Sequence, residues 1–252
     1  MIRFFISFCC FLSIVLAFGY AHAQKREKFS STEDIAIAFY KSGRVVPNFK
    51  RWIEKRPPYK LTSPTRRPKV MEEEMLRLQT AYQQFNPSQD YLMIRTFVQL
   101  EPKEIVDEEG KILYELKMTF DKASEALYFP YEFLGERIVV MPAKLDKLMT
   151  SEINKYQYDM ISEEVRQSAI NMMIARLRVR KADLSRPYNI DGIEQWALTT
   201  DVVSLEVWSK QDRLLWEHSA PWYVSPNTKA INNLYDIRPS QSPSIGAIKP
   251  IQ

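Results

Sequence analysis

The period of the apolar residues changes at Asp90, and that change restricts the chain more than any other feature of its sequence. Before it, Met71, Met75, Leu78 and Tyr82 recur at helical spacing and give one apolar side. After it, Leu92, Ile94, Thr96, Val98 and Leu100 alternate with Tyr91, Met93, Arg95, Phe97 and Gln99, and Ile112 to Phe120 repeats the pattern of a half-buried strand. Helices gathered first and strands afterwards specify an α+β chain.

The helical part divides at its caps and prolines. Ser31-Thr32-Glu33-Asp34 offers capping hydroxyls and first-turn acids, Ile35, Phe39 and Tyr40 give an apolar side, and Gly43 is the stop. Pro47 suits the first position of a second helix whose face carries Val46, Phe49 and Ile53, ended by Pro57-Pro58. The prolines between residues 57 and 68 predict an extended connector. Met71 to Phe85 is the strongest helix, with Glu72 to Glu74 near its positive end.

Asp107-Glu108-Glu109-Gly110 marks the turn between the first two strands. Leu127 to Phe133, demoted to an edge by Pro130, and Arg137 to Met141 complete an expected antiparallel β-meander. A helical insertion follows, with Leu145, Leu148, Met149 and Tyr156 near one face and Ser162 to Ala169 helical. Strands return at Met172 to Asp183 and Glu194 to Thr199, around an Asp191-Gly192 turn.

The last ordered element expected is a Trp-rich β-hairpin from Val202 to His218. Its two apolar faces coincide only if Val207 lies opposite Trp216 and Leu205 opposite His218, across a four-residue turn over Lys210 to Arg213. That register also opposes Glu206 and Glu217, a like-charge pair that calls for a cation between them. The Asp201 to Glu217 hairpin, the Ala220-Pro221-Trp222-Tyr223 exit and the Tyr40-Lys41-Ser42-Gly43-Arg44 helix end resemble features of an uncharacterised family of exported bacterial proteins. The resemblance implies a bacterial source and no activity.

An address is legible at the start of the chain. Arg3 precedes an apolar run from Phe4 to Ala21, and Ala21-His22-Ala23 places small residues at a cleavage site ahead of Gln24, so residues 1–23 read as a signal peptide. A transmembrane anchor needs about 20 clean apolar residues, and Ser7 and Ser13 interrupt this run. Cys9 and Cys10 lie inside it, so lipid attachment is not expected. The organisation predicted is a signal peptide, one α+β domain over residues 24–223 with its helical lobe at about 31–87, and a loosely ordered tail over residues 224–252, with one short helix around Lys229 to Tyr235.

Cleavage removes both cysteines and His22, leaving His218 as the one histidine. Disulfides are then absent, and stability must come from buried apolar area. Removing Arg3 from 35 basic residues leaves 34 against 31 acidic ones, a net charge of +3, too even to predict a polyanionic partner. Cys/His zinc sites and Cys/His nucleophile pairs fail on inventory, and no glycine-rich phosphate loop is present. No cofactor, metal site or catalytic residue is expected. Paired carboxylates remain open, because glycan hydrolysis needs two acids at a separation no sequence displays.

Two basic groupings are the candidate binding residues. Arg44 to Lys69 holds nine Lys or Arg against Glu54 alone, interleaved with aromatics, and Arg44, Lys50, Arg51, Trp52, Lys55 and Arg56 are its core. Arg176, Arg178 and Arg180 share one strand face, either as guanidinium forks for phosphate or carboxylate or as a salt-bridged solvent face. The expectation is a non-catalytic binding or scaffolding module of the cell envelope, periplasmic or secreted. Its partner is then an envelope protein, an anionic glycan or lipid headgroups, with nucleic acid disfavoured. The alternatives are a carboxylate-pair hydrolase acting on a glycan and a peripheral binder of anionic lipid through residues 44–69.

Overall fold

A computed structural model describes residues 28–120, 127–168 and 170–223; the expected leader and tail, including the helix at Lys229 to Tyr235, lie outside the described residues. Helix α1 (Thr32–Ser42) starts at the expected cap. The Ser31 hydroxyl accepts from the Asp34 amide, the Asp34 carboxylate accepts from the Ser31 amide, and Gly43 follows the last turn. Every residue from Ile35 to Phe39 is buried, so α1 is enclosed rather than merely amphipathic.

Helix α2 (Phe49–Lys55) is capped by Asn48, which places Pro47 before the cap and leaves Val46 exposed. The extended connector expected over residues 57–68 is not what forms. Pro57 and Pro58 open a short helix, α3 (Pro57–Leu61), and Pro68 lies in the first turn of α4 (Arg67–Gln84). Proline's fixed φ suits a first turn, where its missing N–H has no intrahelical partner to lose. Glu72 to Glu74 therefore fall beyond the first turn of α4, while Leu78, Met71, Met75 and Tyr82 face the core as their spacing predicts.

Among the described residues eight strands form one mixed sheet. They are β1 (Tyr91–Val106), β2 (Ile112–Phe120), β3 (Phe129–Phe133), β4 (Glu136–Ala143), β5 (Thr150–Ile153), β6 (Asn171–Ile190), β7 (Ile193–Trp208) and β8 (Leu214–Ser219). Their order is β3-β4-β7-β6-β1-β2-β5, with β8 paired to β7. The expected meander is corrected by this order. Hairpins β1–β2 and β3–β4 form around the expected turns, but β6 and β7 separate them and β4 runs parallel to β7. Alternation tells which side chains share a face and is silent on which strand lies alongside. Pro130 does sit on an edge strand, β3.

The helical insertion also differs from its expectation. It consists of α5 (Leu145–Leu148), then β5, then α6 (Lys155–Gln167), so a strand that pairs β2 interrupts it. Helix α6 begins earlier than Ser162 because Asn154 and Gln157 form a capping box. The strand expected at Glu194 to Thr199 and the first arm of the tryptophan hairpin are one continuous strand, β7. In the hairpin Leu205 faces His218, Val207 faces Trp216 and Glu206 faces Glu217, the register its apolar faces demand, but a bulge after Val207 sets Trp208 opposite Leu214, so the turn spans five residues, 209–213, and not the four from Lys210 to Arg213.

Helices α1, α2, α4 and α6 share one buried cluster with the sheet face that carries Leu92, Ile94, Val98, Met118, Ala175 and Leu205. The indole N–H of Trp216 on β8 donates to Ser151 Oγ on β5 at 3.0 Å, although these strands lie far apart in sheet order. The sheet must therefore curl until they meet. On the opposite face of β1 and β6, Tyr91 lies beside Arg178, Met93 beside Arg176 and Arg95 beside Ile174.

Candidate functional site

Where the edge strand β3 approaches the end of β2 and the β6–β7 turn, a cleft of about 680 Å³ opens. Its walls are mainly aromatic and aliphatic: Phe97, Phe120, Phe129, Tyr131, Ile190 and Ile193. The strand pattern produces this wall. Phe129 and Tyr131 share one face of β3, and the Phe129 ring meets Phe120 edge to face at 5.9 Å between centroids. Burial pushes the Tyr131 phenol up to about 12, so it remains a neutral donor across the working pH range.

The charged groups of this cleft are already engaged. Tyr128 Oη donates to the Asp191 carboxylate, and Arg137 pairs with Glu132 at 3.6 Å. An arrangement of this kind can hold an apolar or aromatic group and orient its polar end. General acid–base chemistry has little to draw on here, since each carboxylate is bound by a donor or a cation.

Beside it lies a smaller cleft of about 420 Å³, lined by Glu132, Glu136, Glu194 and Trp196. Glu136 is held from beneath: it accepts from Tyr40 Oη at 2.9 Å and from Trp52 Nε1 at 3.1 Å. Burial and then the Glu136 hydrogen bond drive the Tyr40 phenol well above its ordinary range. Among the described residues no group of three or more His, Cys, Asp or Glu is placed to hold a metal ion.

The basic segment from Arg44 to Lys69 is divided by the fold. Trp52 is buried against Phe133 and bonded to Glu136, and Lys55 donates to the Leu134 carbonyl at 2.6 Å. Arg56 joins Glu33 and Glu74 in an ion cluster that Arg77 completes. Trp52 and Lys55 therefore tie α2 to the β3–β4 hairpin, and Arg56 ties the helices to one another. Arg44 and Arg51 remain exposed, and exposed Lys50 lies 4.0 Å from Glu54.

The arginine stripe is split as well. Arg176 is buried and meets Glu206 at 2.5 Å, with Trp208 Nε1 donating to the other Glu206 oxygen at 3.0 Å. Here is the cation that the Glu206–Glu217 opposition requires, placed within the fold and not on a solvent face. Arg178 and Arg180 flank Asp201 at 4.0 and 3.6 Å, and the Arg178 guanidinium lies over the Trp222 ring at 4.5 Å. His218 stacks on Trp216, and burial lowers its pKa.

The aromatic cleft was not among the sequence candidates. Its one local signal is the run Tyr128-Phe129-Pro130-Tyr131, which alternation alone assigns to a strand and not to a wall. Its opposite wall comes from Thr96, Phe120 and Ile193, which only tertiary folding brings near. No protein-family model, curated protein or solved structure matches the chain.

Proposed function

We propose that the protein is an exported, non-catalytic binding module of the bacterial cell envelope, and that it holds an apolar or aromatic group of its ligand in the cleft beside β3. One observation carries this reading: the largest of the clefts described above is walled by aromatics, and its carboxylates Glu132 and Asp191 are engaged by Arg137 and Tyr128. Such a cavity lies within the usual ligand range of about 300–1,000 Å³. Its test uses anilinonaphthalene sulfonate, a fluorescent apolar anion, with protein recovered from the envelope fraction. Saturable binding should be lost in Ile193→Arg, a change at the exposed rim that leaves the core intact. Binding unaffected by that change would refute the cleft, and an amino terminus other than Gln24 in the exported product would refute the assigned cleavage.

A second reading rests on the three glutamates of the smaller cleft, a hydrolase acting on a glycan through Glu194 and Glu136. Release of reducing ends from envelope glycan that stops in Glu194→Gln favours it over the binding reading. Peripheral attachment to anionic lipid through residues 44–69 would now fall to Arg44, Lys50, Arg51 and their exposed neighbours.

A further inference from the structure

The face of β1 and β6 turned away from the helices gathers cations and aromatics. Tyr91, Phe97 and Trp222 are 39%, 57% and 52% exposed, although aromatic rings of this size ordinarily seek cover. Between them stand Arg95, stacked on Phe29, together with Arg178 and Arg180, which both lie beside the Asp201 carboxylate. Tyr, Trp, Phe and Arg are the residues that dominate buried protein interfaces.

The complement of this face is on the same strand. The second half of β1 continues into the β1–β2 hairpin, whose end exposes Ile105 on this face, with Val106 and its cross-strand partner Ile112 on the other. From Glu101 to Lys117 it carries six acids, Glu101, Glu104, Asp107, Glu108, Glu109 and Glu115, against Lys103, Lys111 and Lys117. Three of the acids crowd the turn. On this face Glu101 and Glu115 are offset by Lys103 and Lys117, Glu101 meeting Lys103 at 3.2 Å, so the hairpin's excess of acid lies at its turn, in Asp107, Glu108 and Glu109, opposite in sign to the arginine end.

We propose that this face receives a second copy of the chain, related by a two-fold axis passing close to Val98. An axis there sets each residue level with the one equally far on the other side of Val98 in the partner copy. Arg95 is then level with Glu101 and Tyr91 with Ile105, all odd-numbered positions that point to the same side of β1. Beyond Ile105 the turn with Glu108 and Glu109 reaches the level past Tyr91. There Arg178, which pairs with Tyr91, and Arg180 stand on the neighbouring strand. The contact is isologous and closes on itself, so it yields a dimer and no filament.

The inference does not rest on export; the face shares Phe97 with the wall of the ligand cleft, so its test reads molecular mass and not ligand binding. Its test measures the mass of the purified protein by sedimentation. A dimer is expected, with a dissociation constant of roughly micromolar or tighter. Arg178→Glu with Arg180→Glu should weaken association about 100-fold or more, as should Glu108→Arg with Glu109→Arg, because each sets like charges together. The four changes combined should restore the dimer. Circular dichroism checks that each variant is folded, as expected for four positions that are exposed or half-exposed.

A native protein that stays monomeric overturns the proposal, as does a dimer indifferent to both reversals. Failure of the combined variant to re-associate overturns the pairing on which it rests. Monomer that instead co-sediments with phosphatidylglycerol vesicles, and loses them on Arg178→Glu with Arg180→Glu, assigns the face to a membrane surface and overturns it too.

Discussion

Arg176 and Glu206 show what a buried charge demands of its neighbours. Both are almost fully enclosed, and Glu206 is bound by Arg176 at 2.5 Å and by the Trp208 indole at 3.0 Å. Removing one partner leaves the other charged and desolvated. Arg176→Ala should therefore cost about 3–5 kcal/mol in urea unfolding, while Arg176→Met with Glu206→Leu costs far less. A single substitution as mild as the double one would mean that the pair is not desolvated. The pairing was half legible: the register opposed Glu206 to Glu217 and named the stripe as a cation source, but its burial depends on what packs above it. Nor does spacing distinguish Trp52, Lys55 and Arg56, which are taken up by contacts within the fold, from the exposed Arg44, Lys50 and Arg51. His218 offers a second residue-level prediction. Burial against Trp216 lowers its pKa from 6.5, so the unfolded chain takes up the proton first. Its contribution to stability is whole above pH 6.5 and is lost as the pH falls toward the lower folded value. His218→Gln should flatten stability across that window, and an unchanged slope would show that another group titrates.

At the level of elements, the helical lobe is fastened by ions as well as by its core. Arg56, from the junction of α2 and α3, and Arg77 of α4 bridge Glu33 of α1 and Glu74 of α4. Hydrogen bonding from Arg77 outweighs partial burial and holds the Glu74 carboxyl below its ordinary 4.5. The sign of the pH effect follows. This contribution is present above pH 4.5 and disappears as the pH falls through the depressed folded value. Acid titration followed by helical circular dichroism should show the lobe loosening in that window, and Glu74→Gln should lose the acid-dependent part while starting from lower stability. An identical acid transition in the variant would remove Glu74 from the account. Helix ends such as Ser31 and Gly43 were legible because caps are local. The Pro57-Pro58 start of α3 was not, since the same dipeptide ends one helix and opens another.

On the scale of the whole molecule, topology escapes the sequence because strand partners lie far apart along it. The pairing of β4 with β7 joins Ile138 to the level of Trp196, and nothing in either run of residues names the other. The curl that brings β8 onto β5 is of the same kind, and a single hydrogen bond tests it. Trp216 Nε1 donates to Ser151 Oγ at 3.0 Å in a part-buried setting, linking strands at separate branches of the sheet. Ser151→Ala leaves the indole N–H without that acceptor and should cost about 1–3 kcal/mol, whereas Trp216→Phe removes the donor together with part of the packed ring. Because both remove the same bond, the double variant should be less destabilised than the sum of the two singles. Amide exchange gives the spatial readout. Breaking the bond should release Thr150 to Ile153, the four residues of β5, ahead of β6, which lies between β7 and β1. Additive losses with unchanged exchange at β5 would mean that the sheet curls without this link and that packing under α6 closes it instead.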